Sequence, residues 1–233
     1  MSGNQTTSLP SGDSYFSYNQ LVHRRNIFMK PVHSLTKNIF FFLFAGLFAS
    51  ACATTSYINI NYHLPSRSTI LAGRNIYLEV NDSRAGQSLF GPAAQETFKH
   101  FTGKFALTLT RENSKGFLIG AFDLLGLFQE TVSRSLQNMG AQVLTTREEN
   151  NVYLKIDITS FHLDLIGRKW ISDITYDAFL IRENQILAQQ SVRGQAERAK
   201  ISGSAQGQTV IGEIFTDVVN RLDMKAFFLN AKL

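Results

Sequence analysis

The chain has 233 residues, a formal charge of +5 and a single cysteine, which excludes an intramolecular disulfide. Most of the positive excess lies before Cys52, where Arg24, Arg25, Lys30 and Lys37 stand against Asp13 alone, so the part from Cys52 onward is close to neutral. That balance excludes the basic face a nucleic-acid binder needs, and no nucleic-acid partner is expected. The stretch from Cys52 to Leu233 is about one domain long.

Residues 1–28 are polar, rich in Ser, Asn and Gln, and without sustained period. Such a segment buries too little apolar surface to offset its ordering entropy. We expect a disordered extension here, or synthesis that begins at Met29. A cytoplasmic tail on a signal anchor is the other reading.

Residues 29–51 follow a different plan. Lys30 and Lys37 precede an apolar run, Ile39 to Ala49. The run is shorter than the ~20 residues a membrane span needs, and it has the length of a signal-peptide core. Ala49, Ser50 and Ala51 then lead to Cys52. This resembles a bacterial lipoprotein signal, with Ala49 where leucine is commonest. The resemblance implies that Cys52 is acylated on sulfur and becomes the mature N-terminus, with the membrane as its partner through that lipid. It also implies outer-membrane sorting and a periplasmic domain, because Ala53 is not the aspartate that retains such proteins at the inner membrane. An uncleaved signal anchor and a buried helix with an incidental cysteine are the competing readings.

Residues 52–72 are polar and Ser/Thr/Asn-rich, with Pro65 in the middle. They read as an extended tether, in which the alternation of Tyr57 to Tyr62 could add an edge strand. The domain is expected over 73–233.

Ile76, Leu78 and Val80 alternate with Tyr77 and Glu79, a half-buried strand. It ends at Asp82-Ser83-Arg84-Ala85-Gly86, which has turn chemistry. Leu89 to Gly103 is irregular, and Phe105, Leu107 and Leu109 mark a second strand. Leu118 to Met139 reads as the main helix, with Leu125, Phe128, Val132, Leu136 and Met139 as its apolar stripe and Gly140 as its C-cap. A short strand over Gln142 to Thr146 follows. Then come three long strands: Val152 to Leu163, Trp170 to Ile181, and Ile186 to Arg198, the last interrupted or bulged near Gly194. Short turns at Ile166–Lys169 and Glu183–Gln185 make them an antiparallel meander. A second helix carries Val210, Ile211, Ile214, Val218 and Leu222, and Ala226 to Leu229 suggests a last helical turn. The expectation is a single α+β domain, a mostly antiparallel sheet with two main helices on one face.

These features together resemble the YajG family of bacterial lipoproteins. They are the cysteine after small residues, the proline-containing tether, Val80-Asn81-Asp82-Ser83-Arg84, and the helix closing on Asn138-Met139-Gly140-Ala141. The Val152–Ile158 strand and a last helix ending near Asn220 complete the set. The resemblance implies an α+β outer-membrane lipoprotein with no catalytic residues to transfer.

Beyond Cys52, the candidate site is Asp82 with Arg84, either a ligand-binding pair or a turn braced by an ion pair. His63, His100 and His162 are scattered, with His162 read as a rim residue on the apolar side of its strand, so no metal site is expected. Gly203-Ser204-Ala205-Gln206-Gly207 lacks the Lys and Ser/Thr of a phosphate loop. Gly116 and Gly120 have G-x-x-x-G spacing outside any membrane span, and no nucleophile elbow is present. No enzyme and no cofactor is expected. Two functions fit: an envelope lipoprotein that binds a protein partner or scaffold, or an auxiliary lipoprotein of a lipid or solute transport system.

Overall fold

Eight strands in two sheets and four helices follow one another in the computed structural model, which describes residues 57–111, 115–148, 151–201 and 204–233. The signal-like stretch, Cys52 and residues 53–56 lie outside the described residues.

Strand β1 is Ile58–His63, with Ile58, Ile60 and Tyr62 fully buried and Asn59, Asn61 and His63 exposed. The edge strand expected over Tyr57 to Tyr62 is present: β1 stands at the edge of the small sheet, and one of its faces enters the core. From Ile58 on, the expected tether belongs to the domain: Leu64 and Leu71 are buried as well. Composition misled here, because every second residue of β1 is polar and faces outward. β1 pairs in parallel with β3 (Phe105–Thr110), which pairs antiparallel with β4 (Phe117–Phe122).

The larger sheet has the order β5-β2-β6-β7-β8. Strand β2 is Asn75–Asp82, β5 is Gln142–Leu144, β6 is Val152–Ile166, β7 is Lys169–Arg182 and β8 is Gln185–Ala199. β2 runs parallel to both β5 and β6, whereas β6, β7 and β8 form the expected antiparallel meander. The β7–β8 loop is Glu183-Asn184, both at positive φ (49° and 62°), which suits the twist of a two-residue hairpin.

Helix α1 is Pro92–Thr97, within a stretch expected to be irregular; Pro92 stands at its start, where a missing N–H costs nothing. Helix α2 is Leu124–Asn138. The main helix therefore starts later than predicted, and Phe117–Phe122 before it is a strand. Asp123 sets the boundary, since its carboxylate accepts from the Gly126 N–H at 2.8 Å. The buried stripe shifts accordingly to Leu124, Leu127, Phe128, Val132 and Leu136, and Leu125 is exposed. At the other end, Gly140 has φ 93°, its N–H donates to Gln137 O, and the Ala141 N–H donates to Leu136 O. This is the left-handed glycine cap expected from the sequence.

Helix α3 is Ala205–Arg221 and α4 is Met224–Asn230. The Phe128 ring of α2 lies 5.8 Å from Tyr176 of β7 and 5.1 Å from Phe215 of α3. Both main helices thus cover one face of the larger sheet, as predicted. Edge-to-face contacts join Phe105, Phe128, Phe161, Tyr176 and Phe215 in the core. The Tyr176 hydroxyl donates to Val218 O at 2.8 Å, which satisfies its polar atom.

Two further expectations change. Register shifts between Ile158 and Ser160, so Ile158 and Phe161 both enter the core and His162, opposite Asp173, faces outward. Gly194 is not a bulge: it pairs in register with Ile174, and the β7–β8 irregularity lies between Leu180 and Ile181. A Cβ at Gly194 would collide with Val218 and stand 2.7 Å from Ile214 Cδ1. The glycine lets α3 lie close on β8.

Candidate functional site

β2 ends at Asp82, and the chain must turn there. The Ser83 N–H donates to Ile158 O at 2.8 Å, which ties the turn to β6, and Ala85 and Gly86 follow at positive φ. Arg84 forks onto Asp82: Nε donates to Oδ1 at 2.8 Å and Nη2 to Oδ2 at 2.7 Å, while the Arg84 backbone N–H donates to Oδ1 at 3.2 Å. The Arg84 side-chain hydrogen bond holds the Asp82 carboxyl below the ordinary carboxylate value. Both oxygens are engaged and the carboxylate is a weak base, so this geometry braces a turn and is poorly disposed to accept a proton from a substrate.

The outward face of the larger sheet is polar. Asn81 Nδ2 donates to Glu79 Oε1 at 3.0 Å and Asp157 Oδ1 at 3.1 Å, and Lys155 Nζ lies 2.7 Å from Asp157 Oδ2. His63, His100 and His162 stay apart, and among the described residues no group of His, Cys, Asp and Glu is placed to hold a metal ion. The His162 ring nitrogen Nδ1 lies 3.1 Å from Ser88 O. Of the Gly203–Gly207 stretch, Gly203 lies outside the described residues. A Cβ at Gly207 would stand 3.1 Å from the Trp170 ring, so that glycine serves helix-on-sheet packing. Gly120 sits in strand β4, where G-x-x-x-G spacing has no helical meaning.

Two concave surfaces had no local sequence signature. One, about 340 Å³, lies between the loop after β1 and the C-terminal half of α2; Arg67, Arg111 and Arg134 line it with Ser66, Gln137 and Asn138. The arginines come from three separate elements, so only the fold brings them together. The other, about 580 Å³, runs between the outward side chains of β1 and helix α3, lined by Asn59, Asn61, His63, Gln208, Thr209 and Thr216. Here Thr216 Oγ1 donates to Asn61 O at 3.0 Å and Asn220 Nδ2 to His63 O at 3.0 Å, so α3 covers the free edge of β1.

Fold and surface together define a single-domain α+β protein with two mixed, mostly antiparallel sheets and concave surfaces that carry polar side chains. No family model and no curated protein matches the chain. Similar solved structures include protein XCC0632 from Xanthomonas campestris (DUF330), at 15% identity and TM-score 0.45 over 74% of this chain and 96% of that one. A minor lipoprotein from Acinetobacter baumannii aligns at 9% identity and TM-score 0.38, over 70% of this chain and 93% of its own. The rare lipoprotein B from Shewanella oneidensis aligns at 8% identity and TM-score 0.35, over 67% and 99%.

Proposed function

We propose that this chain is a lipid-anchored lipoprotein of the bacterial envelope, similar to the YajG family, whose domain binds a partner and catalyses no reaction. The observation that carries the reading is the Ile39–Cys52 stretch, a short apolar run ending in small residues and the sole cysteine. The start of β1 at Ile58 adds to it. Six residue steps separate Cys52 from Ile58, and at 3.3–3.6 Å each they reach no further than ~22 Å. On this reading the domain is held close to the bilayer, on the periplasmic face of the outer membrane.

A role as an auxiliary part of a lipid or solute transport system calls for a continuous apolar groove. The first concavity carries three arginines, the second mixes Asn, Gln, Thr, His and Glu213 with apolar wall, and aromatic side chains fill the core. Those features support partner binding over lipid carriage.

The anchor is tested with Cys52→Ala and labelled palmitate. The wild type incorporates label and the variant does not; equal label in both refutes the anchor. Crosslinking in intact cells followed by mass spectrometry tests the partner, and a domain that captures nothing reproducibly refutes the binding role. Density-gradient fractionation tests sorting, and recovery with inner-membrane markers refutes the outer-membrane assignment.

A further inference from the structure

We infer that the arginine-lined cleft between the loop after β1 and helix α2 is an oxyanion site that takes a phosphate group. Three guanidinium groups, Arg67, Arg111 and Arg134, line one cavity, and among the described residues that line it none is acidic. A cleft lined by guanidinium groups focuses a positive potential that draws anions. Guanidinium forks match phosphate oxygens in pairs. Ser66, Gln137 and Asn138 add neutral polar groups to the wall.

The walls are fixed before any ligand arrives. Asn138 Nδ2 donates to Pro65 O at 2.8 Å, the Ser68 N–H to Asn138 O at 3.1 Å, and the Leu71 N–H to Met139 O at 3.0 Å. The Leu64 N–H donates to Thr110 O at 3.0 Å, which ties the loop to the end of β3 as well. The Ser68 and Leu71 bonds engage the Asn138 and Met139 carbonyls at the C-terminal end of α2, where partial negative charge would otherwise oppose an anion. Arg134 is held at the rim by Glu130, one turn back at 2.7 Å. Arg67 makes no ion pair among the described residues. A phosphate monoester carries about −1.5 to −2 charge and three acceptor oxygens, which uses several guanidiniums where a carboxylate uses one. The cleft volume of about 340 Å³ equals the share of on the order of ten waters, room for a phosphate with a small substituent. The group could belong to a soluble phosphate ester or to a lipid headgroup. The cleft lining does not involve Cys52, so the site stands or falls apart from the anchor.

The test uses the full chain and two probes. Glycerol phosphate is titrated calorimetrically into wild type, Arg67→Ala, Arg134→Ala and, as a distant control, Arg168→Ala, with urea midpoints to verify folding. Saturable binding is expected for wild type and Arg168→Ala, at least tenfold weaker in Arg67→Ala and Arg134→Ala, with partial recovery in Arg67→Lys. Flotation with vesicles of phosphatidic acid or phosphatidylcholine then separates the sources. A preference for phosphatidic acid that Arg67→Ala abolishes identifies a lipid headgroup, and binding of the soluble ester without that preference identifies a free phosphate ester. Absence of saturable binding to either probe, or equal binding by folded wild type, Arg67→Ala and Arg134→Ala, overturns the assignment.

Discussion

Removing the Asp82 carboxylate tests whether the β2 terminus is a braced turn. The Arg84 side chain is 12% exposed and that of Asp82 35%. Asp82→Ala therefore strands a mostly buried guanidinium, whose Nη1 is already without a hydrogen-bond partner. Leaving a buried donor unsatisfied costs ~1–3 kcal/mol. Solvent reaches the Asp82 side of the pair and screens it, which places the expected loss near the lower end, ~1–1.5 kcal/mol. Arg84→Ala costs less, because the Asp82 carboxylate can rehydrate. The two changes should be non-additive by about 0.5–1 kcal/mol. Trp170, the chain's one tryptophan and fully buried, reports unfolding in urea by fluorescence. With slopes of ~1–3 kcal/mol/M, the Asp82→Ala midpoint moves by roughly 0.3–1.5 M.

The pH dependence has a definite sign. The folded carboxyl is held below its unfolded value by Arg84, so its contribution is complete above the unfolded value of about 3.9. It is lost as pH falls through the lower folded value. The wild-type advantage over Asp82→Ala should therefore hold at neutral pH and shrink below about pH 4. Additive variants would refute the brace. A wild-type midpoint in Asp82→Ala together with loss of a crosslinked partner would make this turn the binding site.

Three further outcomes are expected. Deleting residues 57–72 removes Ile58, Ile60 and Tyr62, each fully buried, at ~1.5–3 kcal/mol per side chain. Against a total stability of ~5–15 kcal/mol, the chain should lose its cooperative unfolding transition; a folded product by circular dichroism would restore the tether reading. Gly194→Ala drives a methyl into Val218 and Ile214 and should cost about 1–3 kcal/mol. Gly167→Ala, at φ 62° with open space around it, should cost about 1 kcal/mol, and a reversal of that order in urea midpoints contradicts the packing. Burial pushes the Tyr62 phenol up to about 12, and its hydroxyl donates to Asn220 Oδ1 at 2.7 Å. The unfolded phenol ionises first, near pH 10, so stability contributed by Tyr62 falls from there upward. Tyr62→Phe should be less stable by ~0.5–1.5 kcal/mol at neutral pH and decline less steeply in alkali, as read by unfolding at stepped pH.

The β6–β7–β8 meander was legible because its inward residues alternate over Val152–Ile158 and Trp170–Leu180 and its turns carry their own chemistry, Gly167 in one and Asn184 in the other. The Gly140 cap was legible for the same local reason. Phe117–Phe122 was misread as helix because a short apolar run has no period of its own to separate it from the helix that follows. Its partner, β3, makes it a strand. His162 changed faces because one inserted residue in β6 flips everything beyond it, and nothing near Thr159 announces the insertion. For the candidate site, Asp82 and Arg84 were visible as neighbours in sequence. Arg67, Arg111 and Arg134 were not, because only β1, β3 and α2 arriving at one end of the small sheet bring them together.

The covering of β1 by α3 puts a clock on the molecule. β1 is among the first parts of the domain to be made, yet Asn61 meets Thr216 only across 155 positions of chain. At ~5–20 residues per second, that gap lasts on the order of ten seconds or more. Until the last long helix arrives, the free edge of β1 stays uncovered. Throughout that interval the strand presents unpaired N–H and C=O groups, a template on which another chain can add.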